Sequence, residues 1–460
     1  MRLHTRSSIA SVALAWSIAS APASLSAGEL ANQPGLTPFQ QGMAGAIDVV
    51  CPKLVATAGS LNGTQTDLRL RCTEMRQTAN ALQGSGATTF SLGLSSPQLA
   101  DALGRLSPEE TAAQGQLGVN AGTNQARTIG ARLSALRAGA RGFSFGASRL
   151  DLPGQTFALA DVGTRVASDA SPSAAISSEL GGRLGGFVNG RLTFGDKDAT
   201  VREQGFDFIS GGVTAGADYR FTDNLVLGIA LSYTHSHADI NFNLGETISD
   251  GYGISAYGSY YMGNFYVDGH AGFEWNEYQT ERRIVYATFD RTARATPSGQ
   301  QYTGNLGVGY DVRLGAVTLT PFGRAEYVHL DIESFTETGA TGLDLFIGRQ
   351  HVDSFQTAFG GRVAYSINVP FGVLVPQGSF EWRHEFMNDS RSVTSKYAVD
   401  PFNTFFVIPT ENPDRDYFAL AAGVSAVFSK GVSAFVNYET ALGLRDVTSH
   451  AFTGGVRLEF

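Results

Sequence analysis

Residues 265–275 read FYVDGHAGFEW, and the polarity changes at nearly every step. Phe265, Val267, Gly269, Ala271, Phe273 and Trp275 fall on one face, opposite Tyr266, Asp268, His270, Gly272 and Glu274. A period of two is what a pleated strand with unlike surroundings on its two sides requires. The pattern recurs on both flanks. Val213, Ala215, Ala217, Tyr219 and Phe221 oppose Thr214, Gly216, Asp218 and Arg220. Tyr302, Leu306, Val308, Tyr310, Val312 and Leu314 oppose Thr303, Asn305, Asp311 and Arg313, and at the end Phe452, Gly454, Val456, Leu458 and Phe460 oppose Thr453, Arg457 and Glu459.

Working outward, about twelve such segments can be placed, centred on Val188, Val213, Ile229, Ala256, Ala271, Val308, Gly323, Gly361, Phe380, Val424, Val436 and Val456. Tight turns at Thr222-Asp223-Asn224, Gly263-Asn264, Gly315-Ala316, Pro370-Phe371-Gly372 and Ser429-Lys430-Gly431 alternate with longer links, the longest over 387–414. An even strand number, with short turns at one end and long loops at the other, is the pattern of a bacterial outer-membrane barrel. The expected fold is mainly β: an antiparallel transmembrane β-barrel of about twelve strands at the C-terminus, preceded by a short, mostly helical N-terminal region. A soluble β-sandwich is the alternative, and it would point charge at water and bury its apolar faces. Against it stands the balance of signs on the polar face, where Arg191, Asp218, Arg220, Asp268, Glu274, Arg313, Arg324, Glu326, Arg362, Glu381, Arg383, Glu439 and Arg457 are expected to share a lumen. There they can pair across strands and hold water.

Composition agrees. Among 460 residues, 55 are Gly, 30 Phe and 16 Tyr, with only 16% charged, which is thin for a soluble enzyme and too apolar for disorder. A net charge of -9 leaves no basic stripe for nucleic acid, so that partner is excluded. Residues 1–27 have the layout of a cleaved secretory leader: Arg2 and Arg6, an apolar run from Ile9 to Ala19, and small residues ending at Ala27. The run is short for an anchoring helix, and no later segment is long and apolar enough for one. Export through the Sec machinery is expected. Beyond the leader, 28–149 is Ala, Gln, Arg and Leu rich with helical spacing, as at Leu99, Leu103 and Leu106; 150–182 reads as a linker, and the barrel occupies 183–460.

From about Gly182 to Phe460 the sequence resembles the translocator domain of autotransporters, the type V secretion proteins. The resemblance rests on GADYRF at 216–221 followed by LVLGIALSYT, on YGSYYMGNFYVDGHAGFEWNEYQTERR at 257–283, and on the closing FTGGVRLEF. It implies a single-chain, monomeric barrel in the outer membrane of a Gram-negative bacterium, with surface-exposed loops. It also implies that Phe460 is the aromatic read by the barrel assembly machinery, and that a helix before the barrel threads the pore. Residues 123–141, TNQARTIGARLSALRAGAR, match that helix best. Gln125, Arg127, Arg132, Arg137 and Arg141 give them a cationic surface, which also suits a solvated surface helix. Self-cleaving members cut at paired asparagines; Asn120 and Asn124 are unpaired, so autocleavage is not expected.

Other chemistry is sparse. Cys51 and Cys72 fall on two expected helices, 39–56 and 67–82, and in an oxidising compartment they are expected to form one disulfide rather than a reactive or metal-bound pair. Ser107-Pro108-Glu109-Glu110 reads as a helix start capped by Ser107. Gly142-Phe143-Ser144-Phe145-Gly146 matches the hydrolase nucleophile elbow, but no strand-to-helix context surrounds it. His235 and His237, with Asp239 beside them, could clip a metal, although a polar rim is the commoner use of such residues. Tyr257, Tyr260, Tyr261 and Tyr266 are expected to form an interfacial aromatic girdle. No catalytic residue, cofactor or metal is assigned. The expected function is an outer-membrane protein that translocates or displays a short N-terminal segment. The alternatives are a porin-like channel or adhesin with a periplasmic or lumen-plugging N-terminus and, least favoured, a surface esterase.

Overall fold

The computed structural model describes residues 30–137, 143–145, 150–152, 155–157, 183–428 and 432–458. The leader, most of the linker and Phe460 lie outside them. Twelve long strands follow in order: β1 Leu184–Lys197, β2 Phe206–Arg220, β3 Leu225–Ile240, β4 Gly245–Met262, β5 Phe265–Tyr286, β6 Ser298–Tyr310, β7 Val317–Ile332, β8 Gln350–Tyr365, β9 Gly372–Glu385, β10 Asp416–Phe428, β11 Val432–Leu442 and β12 Val447–Leu458. Each pairs antiparallel with the next, and β12 returns to β1 through pairs such as Thr453↔Arg191 and Ala451↔Thr193. The twelve-stranded barrel read from the alternation is borne out. Closure leaves no unpaired edge, the condition for strands to cross a bilayer.

Alternation sorts the side chains. Ile229, Leu231, Leu306, Phe359, Phe380, Leu420 and Val436 point outward and are exposed, a continuous apolar band that lipid can cover. One end of the barrel carries the short connections, at 221–224, 263–264 and 366–371. At the other end, 333–349 and 386–415 build a second sheet of Phe335–Thr336, Leu345–Ile347, Ser392–Tyr397 and Phe406–Pro409.

The helical region sits on that second sheet. Helices α1 Pro38–Ala56, α2 Gly63–Asn80 and α3 Ser96–Leu106 open at Thr37, Asn62 and Ser95, whose backbone N–H groups donate to the side chains of Gln40, Gln65 and Gln98; Asn62 also accepts from the Gln65 N–H at 2.9 Å. Leu99, Leu103 and Leu106 turn into a core made with Phe39, Met43, Ile47, Leu54, Leu68 and Met75. That core also contains Ile284, Tyr286, Phe335, Leu343, Ile347, Tyr397 and Phe406 from the barrel's long-loop end. The three helices therefore share one apolar core with the barrel mouth. Cys51 and Cys72 form a disulfide between α1 and α2.

A fourth helix, α4 Glu110–Arg137, leaves this cap and runs down the lumen. It is longer than the 123–141 segment singled out in the sequence and begins thirteen residues earlier. Ser107 does not cap it. Its hydroxyl donates back to the Leu103 carbonyl at 3.2 Å and closes α3, while Thr111 Oγ1 donates to the Pro108 carbonyl at 2.7 Å as α4 starts. At 1.5 Å per residue, 28 residues reach about 42 Å, enough to traverse the barrel.

Candidate functional site: the occupied lumen

Three wall arginines and three wall glutamates gather around the middle of α4. Arg324 donates to both oxygens of Glu381 at 2.8 and 2.6 Å, Arg383 reaches Glu381 and Glu439 at 3.1 Å each, and Arg191 reaches Glu439 at 3.3 Å. Arg324 also donates to Glu326 at 3.0 Å. Into this balanced set α4 inserts Arg127, 3.6 Å from Glu326 and 3.5 Å from Glu381. One turn above, Asn124 accepts from Arg191 at 2.9 Å and from Thr193 at 2.9 Å. Gln125 donates to Ser232 at 2.7 Å and accepts from Thr303 at 3.3 Å.

Farther down, Arg132 grips Asp218 with two hydrogen bonds, at 2.8 and 3.0 Å, and Asp218 also accepts from the Tyr257 hydroxyl at 2.9 Å. Both ionic partners are shut off from solvent, so neither charge can be left alone cheaply. Around them Ile129, Leu133 and Leu136 pack on Phe187, Val226, Ala230 and Tyr257. Arg362 donates to Ser134 at 3.2 Å.

Small residues make the fit possible. A Cβ on Gly118 would lie 2.3 Å from Leu330 Cδ2, and one on Gly122 would lie 2.4 Å from Gln301 Nε2 and 2.9 Å from Thr303 Cγ2. Glycine disfavours helix interiors by about 1 kcal/mol against alanine. Here it allows the helix to approach the wall.

Most of the charges expected in the lumen are there, but not all. Arg191, Asp218, Glu274, Glu381 and Arg383 are buried inside, and Asp268, accepting from Ser259 at 2.6 Å, also faces in. The side chains of Glu274 and Asn276 have no hydrogen-bond partner among the described residues, although both are buried beside Gly251. Arg220 sits at the short-connection end and donates to the Asp223 carbonyl. Arg313 is exposed in a small hairpin formed by Val312–Leu314, outside the lumen, because the regular strand ends at Tyr310. The Arg457 side chain lies outside the described residues.

Sequence reading missed Arg282. At the mouth it binds Glu337 at 2.9 Å and donates to the carbonyls of Leu106 at 3.1 Å and Leu343 at 3.0 Å, tying the cap to the rim. Continuing the even-numbered inward face of β5 past Glu274 would have found it. The tyrosine girdle needs correcting. Tyr257 and Tyr266 are buried, and only Tyr260 of the four is exposed on the outer face. The shift follows from parity, since Tyr257 and Tyr260 lie three residues apart on one strand and must face opposite sides. Phe143–Phe145 is a short strand paired in parallel with Gly186–Val188, and the segments on either side of it, with the Ser144 side chain, lie outside the described residues.

The family model for the autotransporter beta-domain matches residues 186–439, more than half of the chain. The chain belongs to this family. It is an outer-membrane autotransporter, and the matched domain is a translocator rather than an enzyme. "Lipase 1" of Photorhabdus luminescens is 28% identical over 54% of this autotransporter and 38% of that protein. "Outer membrane protein A" of Rickettsia conorii is 27% identical over 52% of this chain and 12% of that one. This autotransporter therefore spans well under half the length of these curated relatives. Among solved structures, the translocator domain of autotransporter NalP from Neisseria meningitidis shares 16% identity, with a TM-score of 0.48, covering 65% of this chain and 98% of that one.

Proposed function

We propose that this autotransporter carries its N-terminal helical segment across the outer membrane and keeps it there, docked on the outer mouth and tethered by α4. The observation that carries the reading is the matched pairing of α4 with the wall, Arg127 to Glu326 and Glu381 and Arg132 to Asp218, which favours retention of the helix over release. Short turns of bacterial barrels face the periplasm, so the cap, built on the long loops, would face outward. Sec export through residues 1–27, with 28–149 carried, 150–182 as a link and 183–460 as the translocator, belongs to the same proposal. So does recognition of Phe460 by the barrel assembly machinery, with the barrel a monomer in outer-membrane lipid.

A protease site placed in the exposed loop around Gly86 tests the reading in intact cells. Cleavage from outside is expected. Protection in intact cells, with cleavage only after the outer membrane is permeabilised, would put the segment in the periplasm and leave a plugged channel as the better account. Catalysis by the carried segment is not proposed: among the described residues, its contacts serve packing and docking.

A further inference from the structure

On the outer wall, where β3 and β4 approach the long-loop end, register sets Asp239 directly across from Glu246 and His235 directly across from Asp250. Both pairs lie toward the long-loop end from Leu231 and Ile254, past the exposed aromatic pair Tyr233 and Tyr252. The two imidazoles take different partners. His235 Nδ1 lies 2.8 Å from Asp250 Oδ1, the oxygen that also accepts from the Tyr233 hydroxyl at 2.7 Å, so His235 is committed. His237 turns the other way, with Nε2 3.3 Å from Asp239 Oδ1 and 3.1 Å from Glu246 Oε2. These three donor atoms lie within 4.8 Å of one another, and no other such group of three occurs among the described residues.

We propose that His237, Asp239 and Glu246 form a surface site for a borderline divalent transition cation of the Zn2+ type, with the remaining position open to water. Imidazole nitrogen and carboxylate oxygen are both ordinary ligands of that ion, and three protein ligands with one open position suit it. Hard cations such as Ca2+ prefer oxygen donors alone. Separations fit as well. Bonds of about 2.0–2.1 Å in a tetrahedron give ligand-to-ligand edges of about 3.3 Å, close to the two distances from His237. Two ligands come from β3 and one from β4, so a hydrogen-bonded ladder fixes their backbones.

The surroundings favour a cation. Asp207 of β2 stands across from Asp239, and Glu281 of β5 stands across from Glu246. Like charges directly opposite on a sheet are unfavourable. Of these, Glu281 is engaged by Arg294 at the far side, at 3.3 Å from Nη2. A bound divalent ion would relieve the repulsion between Asp239 and Glu246.

The test uses the full chain in detergent, stripped with a chelator and titrated with Zn2+ by calorimetry, with Co2+ absorption as a second readout. His237→Ala and Glu246→Gln are each expected to weaken binding at least tenfold and to lose the visible bands of four-coordinate Co2+. His235→Ala should stay within about threefold of the wild type. Retained heat-modifiable gel mobility shows that a variant barrel is folded. Unchanged Zn2+ affinity in both His237→Ala and Glu246→Gln would overturn the site. So would Ca2+ binding as tight as Zn2+ and indifferent to His237→Ala, which would mark only a diffuse acidic surface.

Discussion

Arg132 on the lumen helix and Asp218 on the second barrel strand are 86 positions apart in sequence and joined by two hydrogen bonds, at 2.8 and 3.0 Å. Removing one member of a buried pair strands the other charge, at a typical cost of about 3–5 kcal/mol. Asp218→Asn keeps the shape and removes the charge. It should loosen α4, raising single-channel conductance in planar bilayers and exposing the helix to protease. Adding Arg132→Met should recover part of the loss, because no unpaired guanidinium then remains. Equal conductance in the wild type and Asp218→Asn would show that the pair does not hold the helix.

Packing sets a second, independent constraint. A side chain added at Gly118 or Gly122 would force Leu330, Gln301 and Thr303 to move. Overpacking typically costs about 1–3 kcal/mol per site. The double variant Gly118→Leu/Gly122→Leu should assemble a normal barrel that is open to ions, since the strands gain no side chain. A closed, wild-type channel would mean that the helix can slide or rotate to make room.

How much of this was legible beforehand follows from which interactions are local. Strand alternation is a property of neighbouring residues, so the barrel and the inward set Arg191, Asp218, Glu381 and Arg383 could be read from period two alone. Arg313 departs because the regular strand ends at Tyr310 and a small hairpin follows. The length of α4 was hidden because Gly115, Gly118 and Gly122 weaken a helical pattern when read locally. Their use becomes visible only against Arg391, Leu330 and Thr303, far downstream in the sequence. The shared core of cap and loops was hidden for the same reason: Phe335, Tyr397 and Phe406 lie in segments without a period. The two histidines looked equivalent because spacing alone cannot show that Asp250 takes one and Glu246 the other.

The Cys51–Cys72 bond closes a short loop between α1 and α2. By the loop-entropy account, closures of this size stabilise by about 3 kcal/mol. Cys51→Ser/Cys72→Ser should lower the temperature at which the cap becomes protease-sensitive and leave the barrel's gel mobility unchanged. Loss of barrel assembly in that variant would show that the cap and barrel form in one step.

Glu109, at the junction of cap and lumen helix, gives the cap a dependence on pH. Burial, with the Glu203 carboxylate adding to it, pushes its carboxyl up to about 8, against the opposing effects of the Gln204 backbone N–H and Lys197. In the undocked chain the group titrates near 4.5. Below that value both states hold the proton and docking carries no penalty. Between about 4.5 and 8 the undocked form releases its proton while the docked form retains it, so docking weakens as pH rises and levels off above about 8. Asp48 and Asp344 in the same cap and rim are also raised by burial and contribute with the same sign. Limited proteolysis of the cap across this range should show faster cleavage at the alkaline end. Glu109→Gln should flatten the profile in part and protect the cap most at high pH. A profile that runs the other way, or one that Glu109→Gln leaves untouched, would remove Glu109 from the account.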